Sequence, residues 1–138
     1  MTLFVCAQDL GFFWIGLVEN DGFMALQKKE VPPESYLVSL QEFFNEFHVD
    51  KDCLDRVCVV TGPGSFTCSR VSLTIVNTLR FTKKMSLFTL ENPDFLSPEV
   101  LLKEKGLGEE VLPDLYARPF YNRPAHITSA RGDKPLAV

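Results

Sequence analysis

Six residues, Gly62-Pro63-Gly64-Ser65-Phe66-Thr67, limit what this chain can fold into more than any other stretch. Val57, Cys58, Val59 and Val60 precede them, a short β-branched run that reads as an interior parallel strand buried on both faces. Residues 66 to 84 follow with helix-compatible periodicity and neither Pro nor Gly. The six residues therefore turn a buried strand directly into a helix. The glycines open backbone angles closed to other residues, while Pro63 fixes φ between them. Ser65 is placed to cap the helix, its hydroxyl accepting from an orphan N–H of the first turn.

A glycine-rich turn at a helix N-terminus suits phosphate, since unpaired N–H groups and the helix dipole both favour an anion. A P-loop, however, needs a Lys after its last Gly, and none stands here. The dinucleotide pattern G-x-G-x-x-G also fails, because Thr67 takes the third glycine's place. A nucleophile elbow requires G-x-S-x-G, whereas Ser65 directly follows Gly64, and only His48 and His126 could serve as base. On local grounds the motif is a tight structural turn, with no catalytic, cofactor-binding or metal-binding residue expected.

The rest of the composition agrees with a packed intracellular domain. The 138 residues are one domain's length, and 46% hydrophobic content with twelve Phe supplies a core. A net charge of −4 argues against a dedicated basic surface for nucleic acid, so any RNA would be held through a partner. No run has the length of a membrane span, and no Lys or Arg precedes the first apolar residues as in a signal peptide. Cys6, Cys53, Cys58 and Cys68 form no C-x-x-C pair and read as small apolar residues or free thiols. A cytoplasmic location is expected.

Read in order, residues 2 to 8 form a first strand and Asp9 to Gly11 a turn. Phe12 to Glu19 give a second strand, Asn20-Asp21-Gly22 a hairpin turn, and Phe23 to Lys28 a third strand. Pro32-Pro33 break the chain before a helix from about Glu34 to His48, with Tyr36, Leu37, Leu40, Phe43, Phe44 and Phe47 on one broad face. Asp50, Lys51, Asp52 and Asp55 make a solvated connection that lacks the Gly and Glu of a calcium loop. Ser86 to Leu90 complete a β-α-β crossover. Glu99 to Lys105 form a short helix ended by Gly106 to Gly108. Residues 129 to 138 read as a disordered tail, whose Arg131-Gly132-Asp133 is a chance match to an adhesion tripeptide.

The helix after the turn is apolar on two sides. At 100° per residue, Cys68, Val71, Ile75 and Leu79 gather on one side, expected to face the sheet. Phe66, Leu73 and Val76 fall nearly opposite, with Ser69 and Arg80 among them, and Ser69 and Ser72 are small enough for close helix approach.

Gly62 to Thr67, together with Arg70, resemble the signature of the TsaB (YeaZ) family. That family's run typically continues Gly-Leu-Arg-Ile-Gly, where this chain has Cys68, Ser69, Arg70, Val71 and Ser72. The resemblance implies an α/β fold, an actin-like ATPase (ribonuclease H-like) lobe with a mixed five-stranded sheet. It divides the chain into that lobe (1–90), a reduced remnant of a second lobe with a closing segment (91–128), and the tail (129–138). Arg118-Pro119-Phe120-Tyr121-Asn122-Arg123 resemble the family's closing segment, and Phe120 and Tyr121 are expected to dock on the lobe. Family members usually end the first strand in Asp-Thr, where alignment on Gly16-Leu17 puts Ala7 and Gln8. The implied role is a non-catalytic subunit in making threonylcarbamoyladenosine on tRNA. Its implied partners are a TsaD-like catalytic subunit, a TsaE-like ATPase, tRNA through the complex, and a second copy as homodimer. The partner surface then falls on Phe66, Ser69, Ser72, Leu73, Val76 and Arg80. Two other classes stay open, a homodimeric binding module without a tRNA role and a small nucleotide-dependent phosphotransferase.

Overall fold

The structure, a computed structural model, describes residues 1–8, 11–112 and 115–118. Asp9 and Leu10 of the expected Asp9–Gly11 turn, most of the closing segment with Phe120 and Tyr121, and the tail lie outside these residues. Strands β1 (Thr2–Cys6), β2 (Phe13–Glu19) and β3 (Gly22–Lys29) form a meander. Its hairpin closes on Asn20 and Asp21, both at positive φ (55° and 65°), the backbone of a two-residue turn matching the strand twist. Helix α1 (Tyr36–Glu46) leads to β4 (Arg56–Gly62), and helix α2 (Phe66–Lys83) to β5 (Ser86–Glu91). Helix α3 (Pro98–Lys105) and a short strand β6 (Glu109–Val111) follow.

The sheet order is β3-β2-β1-β4-β5-β6, with β1, β4 and β5 mutually parallel and the other pairings antiparallel. The five expected strands are present and β6 adds a sixth. Glu109-Glu110-Val111 carries two charges in three residues, so it gives no strand pattern. It pairs because it is returned to the edge of β5.

Residue alternation sorts the core onto two faces. Leu3 and Val5 of β1, with Val57 and Val59 of β4, pack with Tyr36, Leu40 and Phe43 of α1 and Cys68, Leu73 and Val76 of α2. Phe4, Cys6, Cys58 and Val60 point the other way, onto Leu101 and Leu102 of α3. The Val57–Val60 run is buried throughout and flanked by strands on both sides, as its sequence predicts. Tyr36 stacks on Phe13 with ring centroids 4.0 Å apart and fixes the start of α1 on the sheet. Leu37 and Phe47, expected on the buried face of α1, are 54% and 39% exposed. The helix begins two residues later than expected, after a 3-10 turn at Pro33–Ser35, and ends at Glu46, so Phe47 falls past its last turn.

Candidate functional site

The turn between β4 and α2 is closed by the end of β1. Ser65 donates its backbone N–H to the Gln8 carbonyl at 2.7 Å, and its hydroxyl accepts from the Cys68 N–H, capping α2 as expected. A Cβ on Gly64 would lie 2.4 Å from that same carbonyl oxygen, so only glycine fits the crossing. The buried Gln8 side chain completes the closure. Its amide donates to the carbonyls of Pro63 at 2.6 Å and Asn92 at 2.9 Å, and its oxygen accepts from the Asn92 amide at 2.8 Å. Asn92 in turn donates its backbone N–H to the Gly62 carbonyl and bonds both backbone groups of Leu96. The ends of β1, β4 and β5 are thus tied by two buried carboxamides.

The Ser65 amide that would meet a phosphate already serves Gln8, and the two side chains of the lock, Gln8 and Asn92, are uncharged. Arg70 is exposed and its guanidinium lies 5.2 Å from the Phe66 ring, away from the buried network. Burial pushes the Cys58 thiol and the Tyr36 hydroxyl, the latter beside Cys68, to higher pKa, so both stay neutral. Among the described residues no three His, Cys, Asp or Glu side chains gather as metal ligands, and Asp50 caps a 3-10 turn.

The faces of α2 are the reverse of the sequence expectation. Ser69, Ser72, Leu73 and Val76, expected to face a partner, are buried in this chain. Val71, Ile75 and Leu79, expected to face the sheet, sit on a half-buried flank. Only Cys68 of that set is fully buried. The buried arc centres on Ser72 and Val76, and the Ser72 hydroxyl bonds the Ser69 carbonyl, so two small serines seat the helix close to the sheet. Two apolar stripes of similar weight cannot be ranked by periodicity, and the serines placed the buried one outside.

Of the expected partner residues, Phe66 and Arg80 remain. Phe66 is 43% exposed in the first turn of α2. The Arg80 guanidinium donates to the carbonyls of Val111, Leu112 and Leu115. One turn earlier, the Asn77 side chain donates to the Ala117 carbonyl and accepts from its N–H. Together they hold residues 111–112 and 115–117 along the helix, a clamp that no sequence pattern announced. Exposed apolar side chains also include Leu37 and Val38 of α1.

A meander followed by β-α-β, in the order 3-2-1-4-5, with helices on both faces, defines a lobe of the actin-like, ribonuclease H-like fold. Residues 34–106, more than half of the chain, match the family model described as "TsaD: tRNA N6-adenosine threonylcarbamoyltransferase", and the chain belongs to that family. Among solved structures it is similar to "YeaZ from Pseudomonas aeruginosa", with a TM-score of 0.58 at 17% identity, covering 66% of this chain and 43% of that one. It is equally similar to a structure described as an uncharacterized protein with similarity to peptidase YEAZ, from the same organism, with the same score, identity and coverage. The chain therefore spans less than half the length of these structures. No curated protein matches it significantly. Among the described residues no helix is long and apolar enough to cross a membrane.

Proposed function

We propose that this chain is a non-catalytic scaffold subunit that binds a TsaD-like catalytic partner in tRNA threonylcarbamoyladenosine synthesis. The observation that carries the reading is the closed turn. Its capping amide, its glycine and the strand end beside it are occupied by Gln8 and Asn92. A phosphotransferase needs those groups free for its nucleotide. What the chain offers instead is apolar surface on its two long helices, at Leu37, Val38 and Phe66. The partner face therefore moves from Leu73 and Val76 to these three side chains, with Arg70 at its edge. On this reading tRNA is met only through the complex, a TsaE-like ATPase joins the assembly, and the protein is cytoplasmic.

Reconstitution tests the proposal. The TsaD homologue of the same organism is assayed for threonylcarbamoyladenosine formation on tRNA with and without the full chain. Modification that depends on the chain is the expected result. Equal modification in its absence would overturn the role. Micromolar ATP affinity of the isolated chain by calorimetry would favour the phosphotransferase instead.

A further inference from the structure

We propose that the depression at the hairpin end of the sheet binds a free α-amino acid, through a carboxylate and an ammonium carried on one small molecule. Its base is a single cross-strand row. Thr2 at the start of β1 stands beside Val18 of β2 and Arg56 of β4. Alternation turns all three side chains to the face that carries Phe4 and Cys58. Leu102 of α3 packs on that face, and Glu19 and Asp21 of the β2–β3 hairpin complete a depression of about 300 Å³. The Gln8 lock lies beyond the other end of β1, so the two features are independent.

The Thr2 hydroxyl is the observation that points to a ligand. Thr2 lines the depression and is 1% exposed, yet its Oγ1 finds no hydrogen-bond partner among the described residues. A buried hydroxyl left unpaired costs the fold stability, and a bound ligand relieves it. Arg56 beside it is paired with Asp55 through Nε at 3.8 Å, and neither of its terminal nitrogens has a partner among the described residues. The guanidinium fork and the hydroxyl together suit a carboxylate. Glu19 and Asp21, both exposed, oppose a bare anion and accept an ammonium. Arg56 in turn opposes a bare cation. One molecule carrying both charges satisfies all four groups. The volume is at the lower end for small-molecule sites, which suits a single amino acid better than a nucleotide.

Titration of the isotope-labelled full chain by nuclear magnetic resonance tests this. The probes are L-serine, which carries both charges, and acetate and ethylamine, which carry one each. L-serine is expected to move the backbone resonances of Thr2, Asp21 and Arg56 saturably, and each half-ligand to bind about tenfold more weakly or worse. Thr2→Val should weaken L-serine binding about tenfold, while its melting temperature holds or rises because a methyl replaces an unpaired hydroxyl. Arg56→Gln should lose the response to L-serine and to acetate together. The proposal is overturned by a wild type that shows no saturable response to L-serine, or by acetate binding as tightly as L-serine. It is equally overturned by a Thr2→Val variant that binds unchanged, or one that melts lower, since its hydroxyl would then serve the fold.

Discussion

Gln8 ends β1 with a carboxamide that reaches two carbonyls and the side chain of Asn92, while its own carbonyl holds the amide at the head of α2. Gln8→Ala would strand one N–H of the Asn92 amide and the Pro63 carbonyl in a buried site. The expected cost is about 2 to 3 kcal/mol, since each unsatisfied buried group costs roughly 1–3 kcal/mol. Gly64→Ala drives a methyl into the Gln8 backbone oxygen, which has no rotamer to move to, and should cost about 3 kcal/mol, the upper range for overpacking. Urea denaturation of both variants measures this, and wild-type midpoints would show that the lock contributes nothing. Thiol chemistry reads burial at the same scale. Cys53 is exposed, while Cys6, Cys58 and Cys68 are buried and Cys58 is held neutral by its surroundings. A thiol reagent should label one cysteine rapidly in the native chain and all four after denaturation. Rapid labelling of Cys58 would contradict the packing of β4 against α3.

The central strand and the turn are the elements the sequence marks most clearly. Val57 to Val60 has no polar position to face water, and the glycines and Ser65 leave one way to begin the helix. The orientation of α2 was not legible, because its two apolar stripes differ only in which one carries the serines. The strand β6 and the Asn77–Arg80 clamp were also hidden, since both depend on contacts with residues twenty or more positions away. These differences reverse what a charge on α2 should do. Leu73→Glu buries a carboxylate 3% exposed among apolar neighbours, at a cost of several kcal/mol, and should unfold the chain. Phe66→Glu should leave it folded, because that side chain reaches solvent. Circular dichroism melting curves separate the two. A folded Leu73→Glu variant beside an unfolded Phe66→Glu variant would reverse the faces again.

As a whole molecule, the chain joins a sheet closed at its strand ends to a helical side that keeps apolar groups in water. The clamp on α2 and the lock at Gln8 both fix structure through buried or half-buried polar side chains. On the proposed reading, the exposed Leu37, Val38 and Phe66 form the contact surface for a catalytic partner. Binding of the catalytic homologue is the central property to measure. The full chain and the TsaD homologue of its organism are mixed and followed by sedimentation velocity, alongside a Leu37→Glu/Phe66→Glu variant shown to be folded. The wild type is expected to co-sediment with the homologue as a stoichiometric complex and the variant to sediment apart from it. A wild-type chain that sediments separately from the homologue, or a variant that binds it equally well, would contradict the account.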